Sequence, residues 1–342
     1  MTSIRRLLLS GVLTLGICAP ARGDEAKVLA PGPWSFKTTL GLNLSQSAFS
    51  GNWYGGDKGS IVWVLGSMST AERQFSKRFN HSNSLALAYG QTTRQVADPG
   101  SPGALVWDTP DKTTDQVLFE SVGRFTLESA VDPYFALRAE SQFQDQSNPV
   151  GSLVWNPIKL KESAGLARVL EKTEDRETIT RVGFGLRQTF GRSFVDPVTK
   201  ATASFSSNDG GFEWQTTTTR SMLEKKVLYK GQLLVFQPLF FSNASALDEF
   251  DAAAVAADPG REAVADFWKV TDIEFQNQFS ASITKSIGVS LIAQFRYDKF
   301  DSAANVDRAQ PLLTRAAEID RNVRKAGQFK EVLALALTYR LF

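Results

Sequence analysis

An antiparallel transmembrane β-barrel of about twelve strands, all-β in class, is the fold this sequence predicts, and three observations predict it. The chain breaks into about twelve stretches in which apolar and polar residues alternate, their connections are by turns very short and long, and no long apolar run follows the N-terminal two dozen residues. A bilayer cannot solvate free backbone amides, so a spanning chain without apolar helices must pair every strand in a closed barrel. Ten or fourteen strands are the neighbouring possibilities.

The N-terminus sets the compartment. Arg5 and Arg6 precede the apolar run Leu7 to Ile17, and the small residues Ala19, Ala21 and Gly23 follow, the order of a secretory signal and its cleavage site. The run is too short for a membrane anchor, which needs roughly 20 apolar residues. Leu15-Gly16-Ile17-Cys18 loosely resembles a lipoprotein-processing box, but Ile17 is too bulky for the small residue expected before the cysteine. The expected organisation is therefore a signal peptide over 1–23, a short periplasmic segment over 24–33 and the barrel over 34–342. Export to the outer membrane of a Gram-negative bacterium follows from that order.

Alternation defines each strand in turn. Trp34, Phe36, Leu40, Leu42 and Leu44 oppose Lys37, Thr39, Asn43 and Ser45 in the first; Val182, Phe184, Leu186 and Phe190 oppose Arg181, Gly183, Gly185 and Arg187 in the seventh. Ile287, Val289, Leu291, Ala293, Phe295 and Tyr297 share one face near the C-terminus, and Phe329, Leu333, Leu335, Leu337, Tyr339 and Leu341 share one in the last strand. A period of two sends such sets to opposite faces, one suited to lipid and one to water. The strands fall near 34–50, 57–75, 78–95, 113–130, 132–148, 157–173, 176–191, 211–224, 227–245, 265–283, 286–302 and 325–342.

Connections after even strands are tight: Ser76-Lys77, Asp132-Pro133, Glu174-Asp175, Lys225-Lys226 and Thr284-Lys285. Those after odd strands are longer: Val96 to Lys112, Gly191 to Gly210, Ala246 to Val264 and Ala303 to Arg324. Short periplasmic turns opposite long outer loops mark an outer-membrane barrel. Strict alternation also requires an even number of strands with both termini on the short-turn rim. A soluble β-sandwich would alternate too, but these segments run about 15 to 19 residues, against about 5 to 6 in soluble domains. Two loops carry further pattern: Asp248 to Asp266 is alanine-rich, and Leu312, Leu313, Ala316, Ala317 and Ile319 have partly helical spacing. They read equally as surface loops or as short helices that cap or plug the barrel, with Pro259 and Pro311 limiting helix length.

Composition excludes several functions. Removal of Arg5, Arg6 and Arg22 with the signal takes 38 Lys+Arg to 35 against 36 Asp+Glu, a formal charge of −1 with no block of one sign. Nothing there calls for nucleic acid. The single cysteine, Cys18, leaves with the signal, so the mature chain has no disulfide, thiolate ligand or cysteine nucleophile. His81 is the only histidine; beside the turn at Ser76-Lys77 it reads as a solvated interfacial residue, and a Ser-His-Asp site on the long-loop rim has no imidazole. Asp248, Glu249 and Asp251 read as an acidic loop before they read as a calcium site. No catalytic residue, metal or cofactor is expected, and the chain is read as non-enzymatic.

A resemblance adds to this reading. Leu44-Ser45-Gln46-Ser47-Ala48-Phe49-Ser50-Gly51-Asn52-Trp53-Tyr54-Gly55-Gly56 resembles the Asn-Trp-x-x-Gly-Gly segment ending the first strand in the domain of unknown function 3078 family, bacterial proteins regarded as outer-membrane barrels. Pro157 to Leu166 and Gly183-Phe184-Gly185-Leu186-Arg187-Gln188 resemble that family and its salt-induced outer-membrane relatives. The resemblance implies location and fold, and brings no activity with it. Residues Asn52, Trp53, Gly55 and Gly56 read as a structural hairpin turn in which paired glycines permit φ > 0. The C-terminus departs from the usual outer-membrane pattern: Phe342 is out of phase with Tyr339, and Leu341 holds the in-phase position read by the barrel-assembly machinery.

The expected lumen face carries both signs of charge: Lys37, Arg94, Glu120, Arg124, Glu128, Arg138, Glu140, Lys159, Lys161, Arg181, Arg187, Asp272, Glu274, Arg296, Asp298, Lys330 and Arg340. Among these, Arg124, Arg138, Glu140, Arg181, Arg187, Glu274, Arg296 and Asp298 are the candidate lining residues, and the four arginines from nearby strands are expected to form a basic ladder. Two readings stay open: a passive channel or transport barrel for small polar solutes, and a salt-bridged, closed barrel with a structural or surface-interaction role. The partners expected are outer-membrane lipid, the barrel-assembly machinery during biogenesis and small polar solutes.

Overall fold

The computed structural model describes residues 30–49, 58–101, 104–127, 129–196, 198–284, 287–302 and 312–340. Its strands are β1 (Ser35–Ser47), β2 (Ser60–Ser76), β3 (Phe79–Ala97), β4 (Leu105–Trp107), β5 (Asp111–Phe125), β6 (Asp132–Ser141), β7 (Gln144–Asp145), β8 (Leu153–Val154), β9 (Ile158–Lys172), β10 (Arg176–Phe194), β11 (Thr202–Met222), β12 (Val227–Phe241), β13 (Asp272–Ser282), β14 (Ile287–Tyr297) and β15 (Gln328–Arg340). Two helices, α1 (Ala244–Ala257) and α2 (Leu312–Asn322), interrupt the series. All pairing is antiparallel. From β1 it runs through β2, β3, β5, β6, β9, β10, β11, β12, β13, β14 and β15, and β15 returns to β1 through Thr39↔Arg340 to Asn43↔Ala336. Twelve long strands thus close a ring with no free edge. The three short strands belong to loops: β4 folds back on the end of β3, and β7 pairs with β8.

Side chains sort as the alternation demands. Phe36, Leu40, Leu42, Leu65, Leu137, Leu166, Val182, Phe184, Phe212 and Phe275 stand exposed on the outer wall. In water so large an apolar surface would aggregate; against acyl chains it is the stable arrangement. No helix among the described residues is long and apolar enough to cross a membrane, so the strands do the crossing.

Several expected boundaries move. Asp132-Pro133 is not a turn: both residues open β6, and the reversal lies before them, with the Leu127 N–H donating to Asp132 Oδ1 at 2.9 Å. Proline, lacking an N–H, is tolerated at such a strand start. The strand expected to reach residue 148 ends at Ser141. Asp115 accepts the Phe143 and Gln144 N–H groups at 2.6 and 2.9 Å and draws the chain off the wall into the β7–β8 hairpin. The loop expected over Gly191 to Gly210 is mostly strand, since β10 and β11 pair without interruption from Arg176↔Arg220 to Phe194↔Thr202. The strand expected from 265 begins at Asp272, because Phe267–Lys269 forms one 3₁₀ turn.

The two ambiguous loops are helical and pack on each other. Leu247, Phe250 and Ile319 are 0% exposed and form, with Phe241, Ala246, Ala254, Val264 and Phe300, an apolar core on the long-loop rim. Alanine favours helix over Ala244–Ala257, and Pro259 stops it. Asp251 does not stand in an open acidic loop; its Oδ2 accepts the Val264 and Ala265 N–H groups at 2.7 and 2.6 Å and ties the return chain to α1. The resulting cap sits over the part of the barrel formed by β9 to β14.

Candidate functional site: the charged arc of the lumen

A cavity of about 100 Å³ lies under the cap, lined in part by Arg138, Glu140, Lys161, Arg187, Glu274 and Arg296. Strand parity delivers these groups. Residues 138 and 140 of β6, 159 and 161 of β9, 187 of β10, 213 of β11, 274 of β13 and 296 of β14 all fall on the inward phase. Gly165 and Gly183, opposite each other in register, let the two strands approach closely beside them: a Cβ at Gly165 would stand 2.2 Å from the Val182 carbonyl oxygen.

The charges pair with opposite charges rather than forming a single-sign surface. Lys161 Nζ donates to Glu213 at 2.5 Å, Arg181 to Glu120 at 2.9 Å, and Arg138 to Glu140 at 2.5 Å. Arg187 bridges Asp209 at 2.5 Å and Asp272 at 2.7 Å, and its guanidinium lies 3.8 Å from the centre of the Phe236 ring. Glu213 is only 3% exposed, so its charge depends on Lys161 for compensation. The expected basic ladder is therefore absent as such: each of Arg124, Arg138, Arg181 and Arg187 meets a carboxylate. Arg124 also stands apart from the cavity, at the short-turn rim, 3.8 Å from Asp132.

A second set of charges holds the loop after β14 against the wall. Lys159 on β9 donates to Asp301 at 2.9 Å across 142 positions of sequence. Arg324 reaches Asp301 at 3.2 Å and Asp298 at 3.7 Å, Arg296 donates to Asp298 at 3.2 Å, and Ser207 donates to the Ser302 carbonyl. Phe300, between these anchors, both lines the cavity and belongs to the cap core. The latch thus couples loop, cap and lumen.

Six of the eight candidate lining residues meet at this one cavity: Arg138, Glu140, Arg187, Glu274, Arg296 and Asp298. Arg181 sits beside it, hydrogen-bonded to Glu120 and Gln215. Asn52, Trp53, Gly55 and Gly56 lie outside the described residues. Asp209, Glu213, Asp301 and Arg324 complete the site without being among the residues that the sequence singles out. The parity of β11 would have found Glu213; Asp209 was hidden in an expected loop. His81 is not merely solvated: it lies on the outer wall with its Nε2 2.9 Å from Ser121 Oγ, among the rings of Trp34, Phe75 and Phe79. Among the described residues, no cluster of histidine and carboxylates could hold a metal ion.

Residues 44–146 match the family model described as protein of unknown function (DUF3078), the family that the stretch around Trp53 resembles. No curated protein matches the sequence. Solved structures that align include an outer membrane channel from Pseudomonas putida F1 (11% identity, 94% of this chain and 98% of that one, TM-score 0.38). The β domain of the Bordetella autotransporter BrkA aligns as well (12%, 91% and 98%, TM-score 0.31), as does the translocator domain of the autotransporter NalP from Neisseria meningitidis (6%, 90% and 87%, TM-score 0.35). Closed pairing, an apolar outer wall and short turns opposite long loops define an outer-membrane β-barrel.

Proposed function

We propose that the protein is a passive, non-enzymatic channel for small polar solutes, exported by a cleaved signal peptide to the outer membrane of a Gram-negative bacterium. The observation that carries this reading is the unequal filling of the lumen. On the arc from β9 to β11, inward residues Thr189, Ser207, Asp209, Glu213 and Gln215 are buried by one another and by the cap. On the arc from β1 to β3 the middle of each strand carries small or neutral inward residues, among them Gly41, Gly66, Ser84, Ala86 and Ala88, with the charges Lys37, Glu72 and Arg94 towards the strand ends, and the inward Met68 remains 42% exposed. Water-accessible space on that side supports a solute path, and the charged arc opposite supplies a polar wall along it.

A closed barrel with a structural or surface role is the competing reading, favoured by the small size of the cavity beneath the cap, which has room for a few waters and for no larger solute. Single-channel conductance in planar bilayers separates the two. The refolded mature protein should give steady steps, Met68→Trp should narrow them, and deletion of 303–324 should leave their size unchanged. Silence in the intact protein with steps after the deletion would make the loop a plug. Silence in all three would leave the closed barrel.

A further inference from the structure

Near the short-turn rim, the outer wall carries a charged group with no counter-ion among the described residues. Arg73 on β2 stands in register with His81 on β3, one strand from Ser121 on β5, and strand parity directs all three outward among the lipid-facing positions. The Nε of Arg73 donates to the Gly32 carbonyl at 3.1 Å, and its guanidinium lies 4.6 Å from the centre of the Phe75 ring. Its two terminal nitrogens have no acceptor and no carboxylate within ion-pair distance among the described residues. The side chain is half-buried and held in place at two points, unlike Arg168, an exposed arginine on the outer face of β9.

The neighbourhood has the chemistry of a lipid headgroup site. The His81 tautomer with its proton on Nδ1 accepts from Ser121 and leaves an N–H free. Trp34 packs 5.6 Å from Phe75 and 5.9 Å from His81, and Phe79 stacks 6.4 Å from His81, so three rings wall the polar groups at the depth of an interfacial aromatic girdle. Lys77 and Arg78, exposed in the adjoining turn, add positive potential. Thr178 and Thr180 on β10 pair with Thr218 and Thr216 on β11, each at 2.9 Å, whereas the terminal nitrogens of the half-buried Arg73 have no such partner among the described residues. A fixed guanidinium in a low-dielectric wall calls for an anion, and a phosphate offers two oxygens to its fork.

We propose that Arg73, His81 and Ser121, framed by Trp34, Phe75 and Phe79, form a binding site for the phosphate of an anionic glycerophospholipid in the leaflet at the short-turn rim. A lipid is the occupant rather than free phosphate because the site opens on the wall that faces acyl chains and is edged by rings that would lie along them. The inference needs only the barrel in a membrane and stands whether or not the lumen conducts.

Native mass spectrometry of the full mature protein, titrated with phosphatidylglycerol, tests it. One lipid should bind per barrel, Arg73→Gln should weaken it about tenfold, His81→Ala and Trp34→Ala should weaken it less, and Arg168→Gln, the same charge change on the same wall, should leave it unchanged. Inorganic phosphate should not displace the lipid. Equal loss in Arg73→Gln and Arg168→Gln would overturn the site, and displacement of the lipid by inorganic phosphate would make it a free-anion site instead. Heat-modified gel mobility reports whether each variant is folded; should Arg73→Gln fail that check, His81→Ala and Trp34→Ala are judged against Arg168→Gln in the same way.

Discussion

The two arcs of the barrel wall use one strand geometry for opposite ends. From β9 to β14 the inward positions carry Lys161, Arg187, Asp209, Glu213, Asp272, Glu274 and Arg296, which pair and bury one another beneath a helical cap. From β1 to β3 the middle of the same inward phase carries glycine, alanine, serine and an exposed Met68, and its charges, Lys37, Glu72 and Arg94, stand only towards the strand ends. Backbone pairing holds both arcs equally, because every strand has two antiparallel neighbours. The difference teaches that the wall is specified by alternation alone, whereas the state of the lumen is specified by which polar residues occupy the inward phase.

The largest expected effect lies in the filled arc. Glu213→Gln would leave Lys161 buried without its counter-charge, and loss of a buried partner costs about 3–5 kcal/mol; urea unfolding in lipid vesicles should read it directly. Replacing both, Glu213→Leu with Lys161→Met, should recover most of that loss, whereas Thr39→Ala on the open arc should cost under about 1 kcal/mol. Equal costs on the two arcs would break the comparison.

Next in size is the cap. Phe250→Ala removes a fully buried ring from the core that joins α1 to α2 and should cost about 3–5 kcal/mol locally. The barrel itself should stay folded, so the loss should appear as rapid proteolysis within 244–270 with an unchanged wall. Releasing the latch by Asp301→Asn, which weakens both its Lys159 and Arg324 contacts, should act on the same element more gently, raising the frequency of brief current steps without altering their size. A change in step size would place the loop in the conducting path and contradict the division of the lumen into two arcs.

Much of the wall was legible in the sequence and little of the lumen was. Twelve strands, their alternation and the short and long rims follow from period and turn chemistry, which are local. Where the reading slipped, a distant partner had intervened. Thr202 to Asp209 looked like a loop because serine, asparagine and aspartate favour turns, yet it is strand because β10 pairs with it and Arg187 holds Asp209. Ala252-Ala253-Ala254 and the spacing of Leu312 to Ile319 suggested helices, but not that they would pack together. The arginines were placed on the correct face, and their partners were not foreseen, since nothing in local sequence couples Lys159 to Asp301 or Arg187 to both Asp209 and Asp272.

The smallest effect is expected at the short-turn rim, and its smallness sharpens the contrast with Glu213. Lys225 reaches Glu174 at 2.5 Å and Asp175 at 3.5 Å, binding the β9–β10 turn to the β11–β12 turn in full contact with water. The hydrogen bond from Lys225, with its charge, holds the Glu174 carboxyl below its ordinary 4.5, and Glu174 in turn raises Lys225 above its ordinary 10.5. The carboxylate's contribution is therefore present above 4.5 and lost as pH falls through the lowered value; that of the ammonium is present below 10.5 and lost as pH rises through the raised one. The pair is fully formed across the whole neutral range. Carboxyl carbon shifts of Glu174 should titrate below 4.5 in the native protein and return towards it in Lys225→Ala, with no resolvable change in the unfolding midpoint, because solvent screens an exposed pair. A midpoint shift as large as that of Glu213→Gln would show that exposure does not set the worth of an ion pair in this barrel.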